Sequence, residues 1–260
     1  NCYYYKTTDM EQNLSKKTRT ESDLIGSREV PESALYGVQT LRGIENFRIS
    51  KFHLNEYPLF IQALAITKMG AAVANRELDL LTEEQTDAIL RACKEILEGK
   101  YHEQFPVDMI QGGAGTTTNM NINEVVANRA LELMGHQRGE YQYCSPNDHV
   151  NRSQSTNDAY PTAIHIGLYY THLKLVKHFE VLIEAFRKKG NEFAHVIKMG
   201  RTQLEDAVPM TLGQTFNGFA SILEHEVKNL DFAAQDFLTV NMGATAIGTG
   251  ITAEPEYAEK

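Results

Sequence analysis

The stretch PTAIHIGLYYTHLKLVKHFEVLIEAFRKKGNEFAH, residues 161–195, decides the fold class. Its apolar residues recur with helical spacing over a length beyond the usual globular helix. Pro161 stands where a proline opens a helix at its first position. A second run of the same kind extends from Thr211 to about Val240 and begins with the capping-box match Thr211-Leu212-Gly213-Gln214. Two helices of roughly thirty residues each predict a long bundle.

Upstream of the first run the helical signals continue. Leu59 to Leu81 is mostly apolar and rich in Ala, Leu and Met, all good helix formers. Thr82-Glu83-Glu84-Gln85 is another capping box; behind it Ile89, Cys93, Ile96 and Leu97 share one face, and Gly99 sits where a C-terminal cap belongs. A further helix is expected from about Asn121 to Met134, with Val126, Ala130, Leu133 and Met134 inward and Gly135 as its stop. Asp23 to Phe47 reads as loop with short ordered pieces, and strand signals are sparse. The expected class is all-α: a flexible tail over 1–22, a smaller helical domain over 23–143, and the start of a long-helix bundle over 144–260.

The bulk numbers exclude several classes of function. A net charge of −9, with nine histidines counted neutral and no basic run, leaves no electrostatic footprint for nucleic acid or an anionic membrane. Any anionic ligand must therefore be held by local donors. Cys2, Cys93 and Cys144 are odd in number and widely spaced, matching neither a disulfide framework nor a zinc pattern, which points to a reducing cytoplasm. The polar N-terminus has no signal-peptide core and begins without methionine, Met10 being the first candidate start.

Three polar loops share one design. Gln111-Gly112-Gly113-Ala114-Gly115-Thr116-Thr117-Thr118-Asn119 precedes one helix and Ser153-Gln154-Ser155-Thr156-Asn157-Asp158 the first long one. Gly200-Arg201-Thr202-Gln203-Leu204-Glu205-Asp206 lies shortly before the second long helix. Glycines let backbone N–H groups approach a ligand, hydroxyls add donors, and a helix N-terminus supplies free amides and positive potential. Each loop taken alone is explained equally well as a helix cap or a connector. If the three converge, their neutral donors can hold a carboxylate. The Gly-rich loop lacks the Gly-Lys-Ser/Thr ending of a phosphate loop. Gly248 to Ala253 matches a loose dinucleotide fingerprint but follows a helix rather than a strand.

At these loops the sequence resembles the aspartase/fumarase superfamily. Gly113 to Val125, Asn151 to Thr162 and Gly200 to Thr211 are similar to its three signatures, and the resemblance runs from about Asp23 to the C-terminus. It leans to the aspartase branch over class II fumarases through Tyr36 to Phe47, through Gly243 to Gly250, and through Gln203, where fumarases carry histidine. The resemblance implies reversible anti elimination of ammonia from L-aspartate to give fumarate, without metal or organic cofactor, in a cytoplasmic homotetramer whose active sites collect residues from three subunits. It further implies that Thr116 binds a substrate carboxylate, that Ser155, Thr156 and Asn157 hold carboxylate and amino groups, that Thr202 contacts substrate, and that Gln203 contributes polarity. The base implied is a serine in a Gly-Ser-Ser-x-Met-Pro-x-Lys-x-Asn loop expected beyond Lys260, so the chain by itself is expected to lack the chemical step. Ser145 precedes Pro146-Asn147-Asp148 where relatives commonly have histidine, which argues against a second anion site there. A class II fumarase and a non-catalytic structural or binding relative are the alternatives.

Overall fold

The computed structural model describes residues 17–260; Cys2, Met10 and the first sixteen positions of the expected tail lie outside the described residues. Within it the chain is mainly helical, with two small antiparallel hairpins. Strand β1 (Thr18–Asp23) pairs with β2 (Gly26–Pro31), so the tail expected to reach residue 22 is ordered from Thr18 onward. Arg19 holds it in place, donating to the carbonyls of Ala34 and Tyr36 at 2.7 and 2.8 Å.

Helices α1 (Val38–Asn46), α2 (Pro58–Glu77), α3 (Glu83–Leu97) and α4 (Thr116–Leu133) follow. The apolar periodicity does what it predicts: Ile61, Leu64, Ile89, Ile96, Ile122 and Leu131 meet in one core. The capping box at Thr82 and Gln85 is present. Helix α1 has no capping side chain of its own. Its first amides are taken instead by the buried carboxylate of Glu124 on α4, which accepts from Gly37, Gln39 and Thr40 at 2.8, 2.8 and 3.0 Å. That bond set ties the 36–47 segment to α4.

Helix α4 begins at Thr116, five residues ahead of the expected Asn121, because Gln111 caps it: its side-chain oxygen accepts the Thr118 N–H at 2.9 Å. Helix α5 (Thr156–Glu192) likewise starts before Pro161, the proline sitting inside it rather than at its first position. The Ser155–Asp158 capping box sets that earlier start. A proline there has no N–H for the carbonyl four residues back. Asn241 fills the gap, donating its side-chain amide to the Asn157 carbonyl at 3.1 Å.

Beyond α5 the chain forms strands β3 (Ile197–Thr202) and β4 (Glu205–Thr211), then α6 (Leu212–Ala234), which folds back along α5. The third polar loop is therefore a hairpin and not a helix-opening loop. Gln203 and Leu204 form its turn with φ of 46° and 67°, the left-handed pair that a two-residue hairpin of this type requires. Gln-Leu lacks the glycine or asparagine by which such turns are read from sequence. The capping box Thr211–Gln214 opens α6 as expected, and the helix closes at Ala234 with a tighter turn over Gln235–Leu238.

Arg187 clamps α5 to α6 by three bonds to Glu224 at 3.1, 3.0 and 2.8 Å, and buried His172 bonds Asp231 at 2.9 Å. The pair leaves Val181, Ile222 and Phe232 largely exposed. Where the helices meet, a Cβ on Gly213 would overlap the Gly190 carbonyl oxygen. Gly213→Ala is therefore expected to cost about 1–3 kcal/mol and lower the melting temperature by several degrees in thermal unfolding followed by circular dichroism.

Candidate active site

The first two polar loops meet. Gly115 caps α4 with φ of 87°, and a Cβ there would stand 2.5 Å from the Tyr160 ring on α5, so only glycine lets the two helix N-termini close. Asn119 on the first turn of α4 donates its side-chain amide to Thr156 Oγ1, the first residue of α5, at 3.1 Å. Thr116 is exposed at the head of α4, while Ser155 and Thr156 are half-buried and Asn157 exposed at the head of α5. Ser155 Oγ accepts the Asn157 N–H at 3.1 Å as the helix cap. The Thr118 and Asn157 amides are taken by Gln111 and Ser155, and the hydroxyls of Thr116, Ser155 and Thr156 stand at the two helix heads that the Asn119–Thr156 bond joins, a setting that favours a carboxylate.

Beneath them lies a residue absent from the expected set. Lys68 of α2 is 1% exposed, and its ammonium donates to Asn119 Oδ1, Asn151 Oδ1 and Gln154 Oε1 at 2.8, 3.1 and 2.8 Å. Its N–H groups meet three amide oxygens, of which Asn151 Oδ1 also accepts from the side chains of Asn119 and Asn123. Burial pushes the lysine down to about 7, and the charge of Asp158 opposes that fall. The signal for Lys68 was present in the sequence as a lysine within the apolar run of α2. Asn119, Asn121, Asn123 and Asn128 carried another, since α4 buries all four amides among its apolar residues.

Thr202 and Gln203 are not brought to this region within the chain. At 1.5 Å per residue the 37-residue α5 spans about 55 Å, with Thr156 at one end and the hairpin beyond the other. Thr202 and Gln203 are exposed at the turn of the hairpin. Ser145 is placed differently again. Its hydroxyl accepts the N–H groups of Asn147 and Asp148 at 3.2 and 3.1 Å and donates to Asp148 at 3.0 Å, so the amides opening the short π-helical turn Pro146–Val150 are already satisfied. Cys93 and Cys144 are free, buried thiols, each pushed up to about 12 by burial. Among the described residues no group of three or more His, Cys, Asp or Glu is placed to hold a metal ion.

The N-termini of α4 and α5 thus converge in a mainly helical chain. Residues 26–260 match the family model described as lyase, and the chain belongs to that family. The chain is 58% identical over 240 residues to the aspartate ammonia-lyase of Pseudomonas canavaninivorans, covering 92% of this chain and 51% of that protein. A fumarate lyase:delta crystallin structure from Brucella melitensis, bound to cobalt, superposes with a TM-score of 0.89 at 52% identity, over 94% of this chain and 53% of that one. A class II fumarase from Schistosoma mansoni superposes at 0.86 with 35% identity, over 94% and 51% of the two chains. The chain spans about half the length of the relatives it matches.

The lysine gives a pH signature. Unfolded Lys68 keeps its proton up to about pH 10.4, whereas the folded residue releases it near 7. The unfolded state therefore binds more protons between those values, and stability contributed at this site rises with pH by up to about 1.4 kcal/mol per unit. Urea unfolding at pH 7 and pH 9, compared between the parent chain and Lys68→Met, is expected to show this rise only in the parent.

Proposed function

We propose that this chain carries the substrate-binding part of an aspartate ammonia-lyase, catalysing reversible anti elimination of ammonia from L-aspartate to give fumarate. The observation that supports this most is the junction of α4 and α5, where Asn119 bonds Thr156 at 3.1 Å over the buried ammonium of Lys68. The Asn119 amide occupies a lone pair of the Thr156 hydroxyl, which leaves its proton to donate to a substrate carboxylate. In this reading Thr116, Ser155 and Thr156 hold the carboxylates and Asn157 meets the amino group.

Removal of the Cβ proton places a second negative charge on the neighbouring carboxylate before ammonium leaves Cα. Fixed donors at two helix N-termini stabilise that dianion without reorganising. The base is assigned to no described residue; the reading takes it from a serine loop beyond Lys260. Thr202 and Gln203 then serve the site of another copy, since α5 holds them about 55 Å from Thr156. The exposed apolar side chains Val181, Ile222 and Phe232 fit a homotetrameric bundle in which neighbouring copies cover them. The division near Cys144 into a helical domain and a bundle, and a cytoplasmic location, belong to the same reading. Among the described residues no helix is long and apolar enough to cross a membrane.

Fumarate absorbs in the ultraviolet, so its formation from L-aspartate is the direct test. It is run on the 260-residue chain and on a version extended to the length of its relatives. Activity confined to the extended form is expected; activity in neither, or efficient hydration of fumarate to malate instead, overturns the reading. In the extended form Thr156→Val is expected to lose about 1.5–3 kcal/mol of substrate or transition-state binding, roughly ten- to a hundredfold in kcat/KM, with the helix content of circular dichroism retained. Unchanged turnover would remove Thr156 from the site.

A further inference from the structure

Asp158 is fully buried at the third position of α5, and it does more than close the cap. Its Oδ1 accepts the Ser155 N–H at 2.8 Å, as a capping box requires. Its Oδ2 reaches a distant part of the chain, accepting the N–H groups of Gly243 and Thr245 at 3.2 and 2.9 Å. Both residues are left-handed, at φ of 90° and 56°, a conformation a threonine rarely adopts without outside support. A charged acceptor for two of its amides supplies that support.

The segment so held delivers one group to the candidate site. The Ala246 carbonyl accepts from Asn157 Nδ2 at 2.8 Å, while Asn241 donates to the Asn157 backbone carbonyl at 3.1 Å. A carbonyl oxygen can only accept, so the amide nitrogen of Asn157 must face Ala246 and its Oδ1 must point the other way. Among the described residues nothing bonds that oxygen. An amide oxygen presented to a ligand receives an ammonium group and repels a carboxylate; the same amide reversed would do the opposite.

We propose that Asp158 is a positioning residue that, through the Gly243–Ala246 segment, fixes the Asn157 amide so that Oδ1 receives the substrate's ammonium group. The inference rests on the reading of Asn157 as a substrate-facing residue of an ammonia-lyase. It makes the contact between α5 and the 241–246 segment the element that distinguishes an amino dicarboxylate from a dicarboxylate without nitrogen.

The test compares two ligands in the protein expressed at the full length of its relatives: L-aspartate by its KM, and succinate, which lacks the amine, by its inhibition constant. Asp158→Asn is expected to raise the aspartate KM about tenfold or more, the value of one charge-assisted hydrogen bond, with the succinate constant held within about twofold. Asn241→Ala removes the other tie at an exposed position and is expected to shift the aspartate KM in the same direction by less; it carries the test if Asp158→Asn does not fold. Equal weakening of both ligands would mean a general structural lesion, and no change in either would mean a helix cap alone; each outcome overturns the inference. A parent protein that never converts aspartate overturns the functional reading first and this inference with it, and that failure is visible before any substitution is made.

Discussion

A lysine amine has been built into the interior of this fold, and the polar architecture is arranged around it. The ammonium of Lys68 receives three amide oxygens, one from α4 and two from the turn that precedes α5. Because those oxygens face inward, the amide nitrogens must face outward. Asn119 Nδ2 goes to Thr156, Asn151 Nδ2 to the Gln154 carbonyl, and Gln154 Nε2 to the Val150 carbonyl. The lysine therefore dictates the orientation of each amide, and through Asn119 the direction in which the Thr156 hydroxyl can donate. Leaving one such buried acceptor without its donor costs about 1–3 kcal/mol, so the three segments are locked in register rather than merely packed.

The same arrangement explains how a chain of net charge −9 can offer the local donors that the proposed function requires. Surface charge is screened within about 8 Å at physiological salt, so the overall balance acts weakly at the junction of α4 and α5. What acts there is local: the amides in the first turns of two helices, the hydroxyls of Thr116 and Ser155, and the Lys68 amine one hydrogen-bonded amide removed from Thr156. The nearby carboxylate of Asp158 accepts three backbone N–H groups, and its charge acts on Lys68 beneath the junction.

How much of this could be read beforehand follows from the range of the interactions. The boxes at Thr82 and Thr211 and the apolar face of α3 are local, set by residues three or four apart, and they were readable. The mostly helical class was readable for the same reason. Errors fell where a distant group overrode a local rule. Pro161 reads as a helix start, yet the Ser155–Asp158 box places it inside α5, where Asn241, eighty positions on, takes the carbonyl it strands. Residues 200–206 read as a loop because the Gln203-Leu204 turn lacks the usual turn residues, and only the pairing of flanking strands reveals the hairpin. Thr116 and Ser155 to Asn157 were visible as cap-type residues, whereas Lys68 was masked by the apolar run around it. No local pattern announces that a lysine will find its acceptors 51 and 86 positions away.

The length of α5 adds a constraint that the sequence states but does not explain. A helix of 37 residues, stabilised along one side by α6, is a rigid spacer between the donors at its head and the hairpin beyond its tail. Only its first turns sink into the core around α2 and α4, through contacts such as Gly167 against Phe60 and Ala63. The rest of its apolar surface, with that of α6, would be a liability for a protein working as this chain alone. Side chains such as Val181 and Ile222 find a purpose if the helices line a larger bundle. Within one chain a spacer of this fixed length holds Thr202 and Thr156 about 55 Å apart. The length of α5 and the division of the polar loops between its two ends are one design seen from two sides.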